Sequence, residues 1–307
     1  MSHIILHHYP ASPVSEKVRI ALGIKNLAWR SVEIPRVPPK PDVIPLTGGY
    51  RRTPFLQIGA DIYCDSLVML HELQARHPEP TFFPGNGGGL PWAIVQWTDQ
   101  VFGNVVRISL GANAETLPPE FARDRSRLFL GPNGDFNALK ADIPHLATQL
   151  RVQLGYIDER LADGRSFLLG ASPALTDATC YYLVWFTRAR WQGGPALLSE
   201  YPALEAWEQR VKAIGHGTST PMTAAEALEV AREAAPQTPE HADPRDPQGL
   251  EIGQSVSVTP DLDSGEPAVV GTVRFVDRHR IAILREDPQV GHVCVHFPRL
   301  GYRVREQ

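Results

Sequence analysis

Cysteine is scarce in this 307-residue chain, with one each at positions 64, 180 and 294. An odd number of widely separated thiols excludes a disulfide framework. No pair sits at zinc-ligand spacing, so no metal is expected and a reducing compartment is the natural home. Long apolar runs are missing too: nothing approaches the roughly 20 residues of a membrane span, and the N-terminus carries no charged stretch followed by an apolar one. The expectation is a cytoplasmic protein with no membrane partner. Nor is there a basic excess. A formal net charge of -4 argues against a nucleic-acid binder driven by phosphate neutralisation, which needs a positive surface. What remains, 43% hydrophobic and 21% charged residues, is the composition of ordinary globular domains. The length allows two of them and a third small one.

The most informative stretch lies near the start. Ser12-Pro13-Val14-Ser15 follows the apolar run Ile4-Ile5-Leu6 and precedes the helix-like Lys17-Val18-Arg19-Ile20-Ala21-Leu22. A hydroxyl thus falls where a strand ends and a helix begins. The first N–H groups of a helix lack intrahelical partners and the aligned peptide dipoles leave positive charge there, so an anion is welcome. Ser12 suits the N-cap and Pro13 the first helical position, and the pair reads equally as a plain helix cap.

Residues 1–83 continue as an α/β layer. Residues 29–34 alternate like a strand, Phe55-Leu56-Gln57-Ile58 and Ile62-Tyr63-Cys64 flank the turn Gly59-Ala60-Asp61, and Leu67, Leu70 and Leu73 recur at helical spacing. After the Gly-rich 84–89 the period is helical over 90–234. Trp92, Val95, Val101, Val105 and Ile108 form one stripe, Leu146, Leu150, Leu154, Ile157 and Leu161 a second, and Leu183, Val184 and Phe186 begin a third. Such wide apolar faces need one another, which predicts an all-α bundle. Four prolines among polar residues make 235–249 a linker. Over 250–307 the period becomes two, through Val256, Val258, Val273, Phe275, Ile281, Ile283, Val293, Val295 and Phe297; short strands at this density predict a small SH3-like β-barrel.

Two further junctions carry chemistry. Thr53-Pro54 precedes a strand, and a cis peptide there would turn the Thr53 backbone outward to pair with an extended ligand; Pro54 as an edge-strand breaker is the plain alternative. Asp65-Ser66 stands where a helix begins and would meet an amino group and a carboxylate, or simply cap the helix.

In order and spacing, Ser12-Pro13-Val14-Ser15 with Lys17-Val18-Arg19, Thr53-Pro54-Phe55-Leu56 and Asp65-Ser66 resemble the thioredoxin-like half of the glutathione S-transferase superfamily, and Tyr201-Pro202-Ala203-Leu204-Glu205-Ala206-Trp207 resembles a late helix of its all-helical half. The resemblance covers residues 1–234. It implies a thioredoxin-like glutathione-binding domain over 1–83, an all-α domain over 90–234 walling a site for a small electrophile, and a homodimer. Ser12 would stabilise the glutathione thiolate, since a hydroxyl donor and the helix dipole lower a thiol pKa without a covalent bond. Thr53 would pair with the cysteinyl backbone, Asp65 and Ser66 with the γ-glutamyl end, and Lys40 or Arg52 would supply the cation for the glycyl carboxylate.

The chain departs from that plan in places. Serines at 12 and 15 replace both cysteines of a thioredoxin-type pair, which disfavours disulfide chemistry. Tyr9 could replace Ser12 as hydroxyl donor or line the substrate pocket, with packing in a surface turn as its plain role. Asp177 matches a capping-box aspartate, yet Ala174 stands where its Ser or Thr partner is expected. Trp92, Phe102, Arg107, Tyr181 and Trp185 are candidates for the electrophile pocket, with core packing as the competing role of the aromatics. The terminal module is outside the family plan and its seven arginines face eight acids, so docking onto the body or onto a protein is expected rather than nucleic-acid binding. Two readings follow: a glutathione-dependent transferase, isomerase or lyase using Ser12, or a non-catalytic binding or scaffold protein using its C-terminal module for contacts.

Overall fold

Strand β1 (Ile4–His8) is buried along its whole length, His7 and His8 included, as befits a strand with neighbours on both sides. In the computed structural model, which describes residues 3–85, 87–131, 134–262 and 264–307 and only the backbone of Asn137, it pairs parallel with β2 (Ala28–Glu33) and antiparallel with β3 (Phe55–Ile58). Asp263, counted above among the acids, and position 86 of the Gly-rich link lie outside the described residues. Helix α1 (Pro13–Ile24) follows β1, the single turn of helix α2 (Ile44–Thr47) interrupts the Pro-rich passage, β4 (Asp61–Cys64) pairs antiparallel with β3, and α3 (Ser66–Arg76) follows. This β4-β3-β1-β2 order, with a helix after the first strand, is the thioredoxin-like layer.

The chain divides into two compact units, one formed by Met1–Ser15, Ala28–Glu72 and Thr218–Gln307, the other by Glu16–Leu27 and Leu73–Gly217. The second unit is helical: α4 (Gly89–Ala112), α5 (Pro119–Leu130), α6 (Phe136–Leu161), α7 (Leu175–Arg190), α8 (Gly194–Leu198) and α9 (Pro202–Ile214). The stripe from Leu146 to Leu161 is buried, as are Val95, Val101, Val105 and Ile108, and α4 packs on α6 and α7.

The helical unit ends at Gly217, short of the 234 that periodicity suggests. Four exposed residues, too few to register as a period, form β5 (Thr218–Pro221) parallel to β2, and α10 (Ala224–Glu233) belongs with the sheet. Thr223 caps α10, its Oγ1 accepting from Glu226 N at 3.2 Å while the Glu226 carboxylate accepts from Thr223 N at 2.7 Å.

Beyond α10 come β6 (His241–Ala242), β7 (Ser255–Pro260), β8 (Val269–Val276), β9 (Arg280–Asp287), β10 (Gly291–Pro298) and β11 (Tyr302–Glu306). The alternating residues mark these strands well, but they do not close into an SH3-like barrel. The sheet runs β11-β7-β8-β9-β10 and continues through β10 into β4. Cys294 lies opposite Asp61 and His296 opposite Tyr63 in a parallel pairing, so the edge of β10 that closure would need is taken by the thioredoxin-like layer. The physical reason is in β10 itself, buried on both faces from Val293 to Pro298, as a central strand must be. Nor does 235–249 hang free, since Gln237 N and Thr238 Oγ1 donate to the Asp61 carboxylate at 2.7 and 2.6 Å.

Among the described residues no helix is long and apolar enough to cross a membrane.

Candidate functional site

Ser12 lies where β1 gives way to α1. Its Oγ accepts from Ser15 N at 3.2 Å and its own N–H bonds to Tyr9 O at 3.1 Å, while the residue is only 2% exposed. That is N-cap geometry. Tyr9 is buried, with the Arg36 guanidinium over its ring at 5.4 Å.

The peptide before Pro54 is cis. Thr53 meets Lys40, whose Nζ donates to its Oγ1 at 3.1 Å; Lys40 is itself buried, and thus not the exposed cation its residue type suggests. Arg52 and Lys40 therefore do different things. Arg52 donates through Nε and Nη2 to one oxygen of Glu266, at 2.8 and 2.5 Å, and through Nη2 to Ser264 Oγ at 3.2 Å. The Glu266 side chain is 2% exposed. Burial works against the Arg52 charge, but the Glu266 carboxylate outweighs it and holds the guanidinium firmly protonated.

Asp65 stands between β4 and α3 with φ at 84°, a left-handed conformation that costs energy outside glycine, though Asp tolerates it better than most. One carboxylate oxygen caps α3 by accepting from Leu67 N at 2.9 Å; the other accepts from the Tyr302 phenol at 3.1 Å. Burial, with the Asp65 charge adding to it, pushes that phenol well above its ordinary range, so it remains a donor. Ser66 begins α3 and is buried.

The structure thus brings Ser12, Thr53, Pro54, Asp65, Ser66, Arg52 and Lys40 into one unit, and it adds three residues that sequence reasoning missed: Ser264, Glu266 and Tyr302. A lone acid in a loop and a tyrosine in an edge strand carry no spacing signal. Further contacts run alongside: Arg285 donates to Pro45 O at 2.5 Å, and the Tyr50 and Phe297 rings meet at 6.1 Å. Gly48, at φ 73°, turns the chain where Arg285 passes, and a Cβ there would lie 2.7 Å from its Nε.

The five helical pocket candidates all lie in the helical unit. Tyr181 is a core residue against Trp207 at 6.4 Å, Phe102 joins Phe129, Tyr182 and Phe186, Trp92 meets Phe83, Trp185 stacks beside Phe186, and Arg107 pairs with Asp142 at 3.5 Å. Of the four aromatics Tyr181 is buried, and Trp92, Phe102 and Trp185 are half-buried. All three thiols are buried, and burial, with Asp61 adding to it, pushes Cys294 up to about 12.

Residues 6–81 match the family described as glutathione S-transferase, N-terminal domain, and residues 138–210 match glutathione S-transferase, C-terminal domain. Among curated proteins, FtsZ-localized protein A from Caulobacter vibrioides is 25% identical over 224 residues, 67% of this chain and 86% of that protein. The solved structure of FzlA from C. crescentus is 20% identical at a TM-score of 0.50, covering 76% of this chain and 94% of that one, which speaks to the fold alone. The crystal structure of a GST-like protein from Pseudomonas syringae covers 100% of both chains at a TM-score of 0.82 and 33% identity, so its likeness extends over the C-terminal strands as well. With both family segments in order and a relative of this identity along its whole length, the chain belongs to the glutathione S-transferase superfamily.

Proposed function

We propose that this chain is a non-catalytic member of its superfamily, a binding or scaffold protein whose C-terminal segment engages the side chains that would otherwise hold glutathione. One observation carries the reading: Glu266 and Ser264 satisfy Arg52, and Tyr302 satisfies Asp65. Glutathione has a carboxylate at each end, and the family plan gives those ends to a cation such as Arg52 and to the Asp65-Ser66 turn. Here an internal carboxylate and an internal phenol stand on them. Lys40, the other candidate cation, is buried on Thr53. Glutathione therefore does not fit these residues unless 264–266 and Tyr302 withdraw, which leaves the buried Glu266 carboxylate without its cation. FtsZ-localized protein A is named for where it localises and not for a reaction, which supports a protein-binding role for this chain. The homodimer usual in the family is the expected assembly, to be measured by light scattering.

The transferase reading keeps one observation in its favour: Ser12 retains a hydroxyl at the N-terminus of α1. Calorimetry and a thiol-conjugation assay separate the two. The full chain is expected to give no heat with glutathione and no conjugation of a model electrophile, while Glu266→Gln combined with Tyr302→Phe restores measurable binding. Conjugation by the parent, slowed on the order of 10²-fold by Ser12→Ala, would overturn the proposal and establish the enzyme.

A further inference from the structure

Pairing of β10 with β4 assembles a cluster that lies 233 or more residues apart in sequence. Cys294 and His296 are two apart on one strand and so share a face, and Cys294 lies opposite Asp61. One ligand atom from each, a carboxylate oxygen, a thiol sulfur and an imidazole nitrogen, falls within 4.8 Å of the other two, and all three residues are fully buried. His296 Nε2 stands 3.3 Å from Asp61 Oδ1. That is long for a hydrogen bond to a carboxylate, but it is about the separation of nitrogen and oxygen donors on a zinc tetrahedron with bonds of ~2.0–2.2 Å.

We propose that Asp61, Cys294 and His296 form a buried binding site for a divalent metal ion of the zinc class, tying the C-terminal strands to β4. The donor set of nitrogen, sulfur and oxygen selects zinc-like ions over magnesium or calcium, which take oxygen alone. Charge balances: a carboxylate and a thiolate neutralise a divalent cation, so the three-donor site, which leaves a fourth position for water, carries no net charge into the interior. On binding, the metal–sulfur bond replaces the S–H bond and the proton leaves to solvent. The imidazole binds through Nε2 and carries its proton on Nδ1, which has no partner among the described residues. Without metal, Thr238 Oγ1 donates to Asp61 Oδ1 at 2.6 Å and lies 3.0 Å from His296 Nε2; the metal replaces the contact to Nε2, while Thr238 and Gln237 N, 2.7 Å from the other carboxylate oxygen, orient the aspartate. The Tyr63 ring, stacked on His296 at 4.2 Å, fixes the imidazole plane.

Because the site closes as the strands pair, metal enters with folding. The test refolds the full chain from denaturant with Co²⁺ alone, removes free metal, and measures bound cobalt and absorption. Roughly one cobalt per chain is expected, with a thiolate-to-cobalt charge-transfer band that Cys294→Ser abolishes. Serine keeps the size of the side chain and leaves the Asp61, Thr238 and His296 hydrogen bonds in place, so a folded variant without the band isolates ligation from packing; circular dichroism verifies its fold. Should Cys294→Ser fail to fold, the full-length parent with Cys64 and Cys180 both changed to Ala must keep the band. Retention of no cobalt by the refolded parent, or a band that survives Cys294→Ser, would overturn the assignment.

Discussion

His7 is the residue through which the sheet should feel acid. Its Nε2 bonds to Gln57 Oε1 at 2.8 Å and its ring stacks on Phe55 at 4.0 Å. Gln57 already donates through its amide nitrogen to the carbonyls of Gly59 and Ala227, at 3.1 and 2.8 Å. Its oxygen therefore needs a donor, which assigns the His7 proton to Nε2. Burial, reinforced by the neighbouring His8 and only partly opposed by Gln57, pushes the imidazole from 6.5 down to about 3. In the unfolded chain the ring takes a proton below its ordinary 6.5; in the folded protein it refuses one until about 3. The stability that His7 contributes is thus complete above the unfolded value and is lost as pH falls toward the folded one. Urea unfolding of the parent and of His7→Gln at pH 7 and pH 5 should show the gap between them narrowing by about 1–2 kcal/mol on acidification. A gap that does not move with pH would mean that His7 titrates alike in the folded and unfolded chain, and a gap that widens that it is charged in the fold.

At the scale of elements, the start of α7 tests how a helix survives half a cap. Ala174 offers no side-chain oxygen to the first turn, so the reciprocal bond of a capping box is missing. Asp177 compensates by gathering three donors: Leu168 N at 2.9 Å, Ala174 N at 2.8 Å and Trp207 Nε1 at 2.7 Å. Burial nevertheless pushes its carboxyl up to about 6, so the aspartate is retained for its geometry and not for an easily held charge. Asp177→Ala leaves three buried N–H groups unpaired and is expected to cost about 3 kcal/mol or more in chemical denaturation, with Asp177→Asn losing less because it keeps one acceptor. This element was legible in the sequence, down to the missing serine at 174. So were β1, α1, β3, β4 and α3, because each follows from a local run or period. The pairing of β10 with β4 was not, since periodicity marks a strand without naming its neighbour. The available clue was that Val293 to Phe297 carries no charged residue, with Cys294 and His296 where an exposed face would carry one. The candidate site divides the same way. Ser12 as a cap is a local fact, whereas the partners of Arg52 and Asp65 arrive from more than 200 residues away and leave no spacing to read.

For the whole molecule the decisive question is whether the C-terminal strands are an appendage or part of the core. The composition change over 235–249 invites a cut, and a chain ending after Pro236 would on that reading remain a folded body. The hydrogen bonds argue otherwise. Such a cut strips β4 of its parallel neighbour and exposes an edge of unpaired N–H and C=O groups, a template for aggregation. It removes Gln237, Thr238 and His296 from the buried Asp61 carboxylate, Glu266 from Arg52, and Phe297 from Tyr50. Each loss leaves a charge or an apolar face that was closed off. Truncation after Pro236 is therefore expected to give aggregated or dye-binding protein in size-exclusion chromatography, where the full chain elutes as a single defined species. In limited proteolysis the full chain should resist cleavage around Thr238, which is buried against Asp61, and be cut first in exposed loops elsewhere. A truncated chain that is soluble, monodisperse and native by circular dichroism would make the module a separable domain, with the 1–83 and 90–234 segments able to fold without it.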